Sequence, residues 1–131
     1  MGAVLVLDDE LDILNLVRII LSQKGYQVHV TSRIDEFYSL LDDDVGLILL
    51  DVVMPEKTGI EICSEIKNDL DKSNIPVIVF SASGSTEKRD EALDAGADAF
   101  LLKPFSITQL TEIVNKYYPL STDSGKNEME W

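Results

Sequence analysis

Five short, mostly apolar runs recur along this 131-residue chain, and each is followed by a segment of helical periodicity. The runs are apolar almost throughout or at alternate positions, the patterns of strands that are buried on both faces or on one face. They cover residues 3–7, 26–30, 45–50, 76–80 and 98–102. Apolar residues three and four positions apart predict a helix after each run. This alternation is typical of an α/β domain with a doubly wound parallel sheet, in which right-handed crossovers place helices on both faces.

The second run has the character of an edge strand. Tyr26, Val28 and Val30 alternate with Gln27 and His29, which is the pattern of a half-exposed strand. An edge position for this strand favours the flavodoxin-like (βα)5 fold, with strand order 2-1-3-4-5. His29, the single histidine, is then expected to point outward.

The helical patterns predict which side chains three of the helices bury, and where the last of them begins. The first helical face includes Leu11, and the apolar face of the third helix reaches Leu70. Residues 106–109 form a capping box, in which a Ser and a Gln three residues later bond each other's backbone N–H groups. The last helix is therefore expected to begin there, with Ile107 facing inward.

Composition limits the kinds of protein that this chain can be. A net charge of −13 repels phosphate backbones, so direct binding to nucleic acid is not expected. No apolar run is long enough to cross a bilayer, and the single cysteine, Cys63, is expected in the core. These properties predict a cytoplasmic protein without membrane contacts.

Residues 1–118 form one predicted domain. Residues 119–131, which end in Trp131, are predicted to form a flexible tail or a truncated linker.

Polar side chains follow four of the predicted strands. Asp8 and Asp9 follow the first, Asp51 the third, Ser81 the fourth and Lys103 the fifth. The carboxyl ends of parallel strands meet at one edge of the sheet, which is where open α/β sheets bind ligands. The chain therefore gathers three carboxylates, a hydroxyl and an ammonium around one crevice.

Few kinds of chemistry suit three carboxylates, a hydroxyl and an ammonium in one crevice. Clustered carboxylates repel each other unless a cation lies between them, and oxygen ligands select a hard ion such as Mg²⁺, or Mn²⁺ in its place. A metal beside Asp51 would position a phosphoryl group, and Asp51 could attack it to form an acyl phosphate. Lys103 would pair with one phosphoryl oxygen, and the Ser81 hydroxyl could hydrogen-bond another.

This arrangement resembles the receiver domain of response regulators in two-component signalling, over residues 3 to about 118. The matching segments are LVLDDE at 5–10, LLDVVMP at 49–55 with Gly59 after it, VFSAS at 79–83 and FLLKPF at 100–105. The resemblance implies that Asp51 accepts phosphate from a histidine kinase or a histidine phosphotransfer protein. It also implies that the domain catalyses only its own phosphorylation and dephosphorylation, so that it is not an enzyme in the usual sense.

The resemblance assigns further roles at the site. It implies that Asp9, Asp51 and the backbone carbonyl of Val53 bind Mg²⁺ directly, whereas Asp8 acts largely through water. Lys103 becomes the phosphate-pairing lysine, and its bond to the following proline is expected to be cis.

The resemblance also implies a switch. Ser81 is the switch hydroxyl and Phe100 takes the position of the aromatic switch residue, where a tyrosine is frequent. Together they are expected to remodel the surface of helix four, strand five and helix five when Asp51 is phosphorylated. Val53 is apolar where several fast-hydrolysing relatives carry a polar side chain, so the acyl phosphate is expected to be longer-lived than in those relatives.

Partners follow from the same resemblance. It places the docking surface for the phosphodonor on helix one, where Leu14, Val17 and Ile20 could serve that contact or the core. The modified surface would engage a downstream protein or an output domain, and a homodimer could form on phosphorylation. The chain could be a stand-alone receiver, or a module of a longer transcription regulator or hybrid histidine kinase.

Two other classes of protein share this kind of sheet. A Mg²⁺-dependent phosphatase with an aspartyl nucleophile would need a second acid two residues after Asp51, where Val53 stands. A flavodoxin-like cofactor carrier would need a phosphate-binding loop after the first strand, where residues 8–10 are all acidic.

Overall fold

The structure is a computed structural model that describes residues 2–82 and 84–120. Strands and helices alternate in it from end to end, as the apolar runs predict. The elements are β1 Ala3–Leu7, α1 Leu11–Gln23, β2 Gln27–Thr31, α2 Ile34–Leu40, β3 Val45–Asp51, α3 Gly59–Lys67, β4 Val77–Ser81, α4 Thr86–Asp94, β5 Ala99–Leu102 and α5 Ile107–Tyr117.

The strands form one parallel sheet of order β2-β1-β3-β4-β5, which confirms the predicted topology. Its register aligns the ends of β3, β4 and β5. Asp51 pairs with Phe80 and Ser81 pairs with Leu102, so the last residues of β3, β4 and β5 lie at the same edge. The polar groups that follow the strands are therefore brought to one edge, as their positions in the sequence predicted.

The sheet separates two apolar cores because successive side chains of a strand point to opposite faces. Leu5 and Leu7 of β1 face a cluster that also contains Phe37 of α2 and Ile62 of α3. Val4 and Val6 face the other side, where α1 and α5 supply the packing residues Leu14, Val17, Leu110 and Val114. The predicted buried position of Cys63 and the outward position of His29 are both confirmed.

Capping residues fix where the helices around the site begin. The predicted capping box of Ser106 and Gln109 opens α5, and a second box, of Thr58 and Glu61, opens α3 after the loop that follows β3. Gly25 and Gly96 have φ of 101° and 104°, backbone conformations that glycine adopts without strain, after α1 and α4.

Three apolar side chains lie outside the core, contrary to prediction. Helix α3 ends at Lys67, so Leu70 falls in the following turn and is 94% exposed. Leu11 and Ile107 are each the first residue of a helix and are also exposed. A side chain on a first helical turn points back toward the N-terminus of its helix, so Leu11 and Ile107 are directed away from the packed length of the helix.

In α1, Leu14, Val17 and Ile20 are all buried, so they serve the core rather than an exposed surface. At the other end of the chain, Leu120 follows α5 and packs against the core cluster that α1 and α5 share. Residues 121–131 of the predicted tail, including Trp131, lie outside the described residues. Within residues 2–82 and 84–120, every helix falls short of the length and apolar content needed to cross a bilayer.

Candidate functional site

Three carboxylates meet at the carboxyl edge of the sheet. Asp8, Asp9 and Asp51 each offer an oxygen within 4.8 Å of the others. Asp8 and Asp51 are buried and Asp9 is exposed, so the cluster has a closed inner side and an open outer side. The structure thus brings together the three acids that the sequence placed at this edge.

Lys103 reaches into the same cluster from the end of β5. Its Nζ lies 2.8 Å from Asp8 Oδ2 and 3.3 Å from Asp51 Oδ1. Glu10 also contacts the ammonium, with Oε1 at 2.7 Å from Nζ. The lysine side chain is only 10% exposed, so these charges interact in a partly desolvated setting. The ammonium is therefore the positive centre of the site.

Burial and like charge together change how Asp51 titrates. Desolvation and, next, the nearby Asp8 carboxylate raise the pKa of Asp51 to about 7, although Lys103 opposes the shift. Burial disfavours the charged ammonium of Lys103, but the carboxylates of Asp8, Glu10 and Asp51 outweigh this and raise the pKa of Lys103. Without a further cation, the site contains more negative charge than one lysine neutralises.

The hydrogen bonding of Asp8 indicates that Asp8, Asp9 and Asp51 fit a bound cation. Its Oδ1 accepts the backbone N–H of Glu10 at 2.9 Å. Its Oδ2 is buried and lies near Lys103, but at angles too poor for a hydrogen bond, and among the described residues it has no hydrogen-bond donor. A buried carboxylate oxygen without a donor is costly, and a hard divalent cation held by Asp8, Asp9 and Asp51 would satisfy it.

The two residues predicted to act as a switch lie on neighbouring strands. Ser81 is the last residue of β4 and is buried, and its backbone oxygen accepts the N–H of Lys103 at 2.8 Å. Phe100 of β5 is partly buried and packs against the cluster that contains α2 and α3. The bond between Lys103 and Pro104 is cis, as predicted.

The loop after β3 carries Val53, whose side chain is 67% exposed. Its neighbour Val52 is fixed on both sides: Val52 donates its N–H to Phe80 at 2.9 Å and accepts the N–H of Gly59 at 2.9 Å. These bonds tie the loop to β4 and to the start of α3. The backbone on which Val53 lies is therefore held beside the acidic cluster.

A second set of contacts supports this loop. Lys57 pairs with Glu65 of α3 at 2.6 Å, Tyr38 of α2 donates a hydrogen bond to the same carboxylate, and the Lys57 ammonium lies 5.8 Å from the centre of the Tyr38 ring. Sequence reasoning identified neither these contacts nor the one between Glu10 and Lys103. The only local signal was the acid of Glu10 directly after Asp8 and Asp9, because the partners lie far apart in the chain.

The fold places the chain among the CheY-like α/β domains. The chain belongs to the response regulator receiver family, because the sequence model described as "Response regulator receiver domain" matches residues 4–115. The chemotaxis protein CheY4 of Vibrio cholerae superimposes with a TM-score of 0.82 at 27% identity, over 89% of this chain and 98% of that one. The receiver domain of NtrX from Brucella abortus gives 0.78 at 30% identity, over 87% and 96%.

Two curated relatives are longer than this chain. The transcriptional regulatory protein CpxR of Klebsiella pneumoniae is 37% identical over 84% of the chain, and the response regulator SaeR of Staphylococcus aureus is 36% identical over 88%. The matches cover only 46% and 50% of those proteins. The chain thus spans about half the length of the curated relatives it matches.

Proposed function

We propose that Asp51 is the phosphoacceptor of this receiver domain and takes its phosphoryl group from a phosphohistidine of a histidine kinase or phosphotransfer protein. One observation carries the proposal: a buried carboxylate lies in contact with a lysine and within 4.8 Å of two further acids, at the ligand edge of the sheet. Phosphoryl transfer depends on this combination of positioning and charge neutralisation.

A Mg²⁺ ion, or Mn²⁺, would be held by Asp9, Asp51 and the backbone carbonyl of Val53, with Asp8 acting through water. When bound, the ion supplies neutralisation of the negative charge that builds up on the transferred phosphoryl group. It also favours the ionised form of Asp51, because an opposite charge lowers a carboxyl pKa.

The residues of the chain supply the rest of the transfer. An Asp51 carboxylate oxygen bonds to phosphorus as the bond from phosphorus to the donor imidazole nitrogen breaks, and the imidazole keeps the electron pair and takes one proton from solvent. Lys103 pairs with one phosphoryl oxygen. The Ser81 hydroxyl hydrogen-bonds another, which draws the loop before α4 toward the site.

The output of the transfer is a change of surface. The space that Ser81 leaves admits Phe100, and the surface of α4, β5 and α5 is remodelled for a downstream protein, an output domain or a second copy. A receiver can belong to a regulator or to a kinase: CpxR is described as a transcriptional regulatory protein, and a similar solved structure is the receiver domain of a histidine kinase from Syntrophus aciditrophicus, 29% identical with a TM-score of 0.79.

This function requires no catalysis beyond the domain's own phosphorylation and dephosphorylation, in the cytoplasm where such kinases act. The net charge of −13 favours protein partners over direct contact with nucleic acid. The phosphatase alternative is disfavoured because Val53 offers no acidic group where a general acid is needed.

Incubation with acetyl phosphate and Mg²⁺ tests the proposal. We expect stoichiometric labelling that is stable to acid and labile to base, present in the wild type and in the control Asp71→Asn but absent in Asp51→Asn. Steady turnover of varied phosphate esters would instead indicate a phosphatase. With beryllofluoride and Mg²⁺, the amide spectra around residues 81–100 should change in the wild type only. If the wild type and Asp51→Asn give identical spectra in this region with beryllofluoride and Mg²⁺, the switch is contradicted.

A further inference from the structure

Three carboxylate oxygens surround the ammonium of Lys103 in this state. Its Nζ donates hydrogen bonds to Glu10 Oε1 at 2.7 Å and to Asp51 Oδ1 at 3.3 Å. Asp8 Oδ2 lies 2.8 Å from Nζ as an ion pair without a hydrogen bond. A phosphoryl oxygen that pairs with Lys103 therefore competes with these acids for the ammonium.

The three acids differ in how easily they can leave. The Asp8 side chain is fully buried, and its other oxygen is already held by the backbone N–H of Glu10. Asp51 is the residue that would carry the phosphoryl group. The side chain of Glu10 is 59% exposed, so water can solvate its carboxylate at once when it leaves the lysine. The Glu10 carboxylate can leave Lys103 by side-chain rotation alone, because the backbone N–H of Glu10 remains bonded to Asp8 Oδ1.

We propose that Glu10 is a displaceable counter-ion that holds on Lys103 the place which a phosphoryl oxygen takes when Asp51 is phosphorylated. This inference rests on the proposed function of Asp51. The contact stabilises the unphosphorylated state and lowers the affinity of the pocket for a phosphoryl group. Glu10 is a positioning residue, since it acts through Lys103 and not on phosphorus.

Beryllofluoride, used as a phosphoryl analogue, tests this inference in the variants Glu10→Ala and Glu10→Gln. Both variants should fold, because the Glu10 side chain makes no capping bond to α1. With saturating Mg²⁺, the beryllofluoride concentration that gives half of the amide shift change should fall about fivefold, as expected for the removal of one partly exposed competing ion pair. The affinity for Mg²⁺ alone should change less than twofold.

The matched control is Asp12→Asn, which removes the same charge from the first turn of α1, two residues from Glu10. It should leave the beryllofluoride affinity within about twofold of wild type, because nearby charge alone is screened in salt. An equal gain in Asp12→Asn, an unchanged affinity in the Glu10 variants, or a loss of Mg²⁺ affinity in them would each overturn the inference. If the wild type binds beryllofluoride no better than Asp51→Asn does, the proposed function fails as well.

Discussion

Gly59 packs directly against the backbone carbonyl of Asp51. A Cβ atom built on Gly59 would lie 2.0 Å from that carbonyl oxygen and 2.8 Å from its carbon. The first turn of α3 therefore abuts the end of β3, and only the absence of a side chain allows the close approach. This contact sets the path of the loop that carries Val53 past the acidic cluster.

Gly59→Ala should therefore disturb both stability and the site. The backbone must move to admit the methyl group, which we expect to cost about 2–3 kcal/mol in the free energy of unfolding. Urea unfolding measures this loss, and a Mg²⁺ titration should show weaker binding. The control is Gly84→Ala, whose Cβ would make ordinary contact with Leu102 at 3.4 Å. Equal stability of the two variants would contradict the steric argument.

The pKa of Asp51 predicts a pH dependence of stability in the metal-free protein. Burial and Asp8 raise this pKa from 3.8 to about 7, so the folded state binds the proton more tightly than the unfolded state. The contribution of Asp51 to stability is therefore greatest below about pH 4, falls between about pH 4 and 7, and is constant above. Asp51→Asn removes this fall and should be more stable than wild type by roughly 2–4 kcal/mol at pH 8.

Chemical unfolding of wild type and Asp51→Asn across pH 4–8, in a chelator, measures this difference. The two curves should converge at low pH and separate above pH 5, whereas Asp71→Asn should follow the wild type. Parallel curves would show that Asp51 titrates normally. Addition of Mg²⁺ at pH 8 should stabilise the wild type and have a smaller effect on Asp51→Asn, because binding stabilises only the state that holds the ion.

Lys67 is expected to be important for stability and not for the site chemistry. Its Nζ contacts the backbone oxygen of Ile75 at 2.8 Å, that of Ser73 at 3.3 Å and Asp98 Oδ2 at 2.9 Å, and its side chain is only 17% exposed. These bonds join the end of α3 to the starts of β4 and β5. Lys67→Met removes the Lys67 donor from the backbone oxygens of Ser73 and Ile75, whereas Asp98 Oδ2 keeps the N–H of Val77 at 2.8 Å. The variant should destabilise the protein by about 1–3 kcal/mol.

The matched control for that variant is Lys88→Met. Lys88 pairs with Glu91 at 3.5 Å on the exposed side of α4, a contact expected to contribute less than about 0.5 kcal/mol. Urea unfolding of both variants gives the comparison. Acetyl phosphate labelling should proceed normally in each, and a loss of labelling in Lys67→Met without unfolding would contradict a purely structural role.

Val53 predicts a long-lived acyl phosphate, because its exposed apolar side chain cannot orient an attacking water molecule. Val53→Asn should shorten the lifetime of the label on Asp51 by about tenfold, a barrier change of about 1.4 kcal/mol. Val53→Ala, which is also apolar, should leave it unchanged. Loss of radiolabel from the wild type within seconds in Mg²⁺ would refute the prediction.

The sequence was sufficient to predict the elements and the edge of the site. Strands and helices were recognisable because apolar periodicity is a local property, and the capping box of Ser106 and Gln109 is local as well. Asp8, Asp9, Asp51 and Lys103 could be assigned to one crevice because every strand of a parallel sheet ends at the same edge. The roles of these residues in phosphoryl transfer stay predictions.

Packing decided which side chains the helices bury. Leu11 and Ile107 satisfy a helical pattern in the sequence, yet each is the exposed first residue of its helix. Leu70 also satisfies the pattern, but α3 ends at Lys67 and leaves it in an exposed turn. Periodicity reports neither the end of a helix nor what packs against it. The contact between Gly59 and Asp51 is likewise invisible in the pattern, since it depends on the angle at which α3 leaves β3.

The sequence by itself determined the order of elements, the edge at which the polar groups collect and the excess of acid there. Only the tertiary structure decided that Glu10 contacts Lys103, 93 residues later in the chain, beside Asp8 and Asp51. Only it decided that Asp51 is buried enough for its pKa to rise. The reason is physical: periodicity is encoded within a few residues, whereas desolvation and charge pairing depend on distances that the folded chain alone creates.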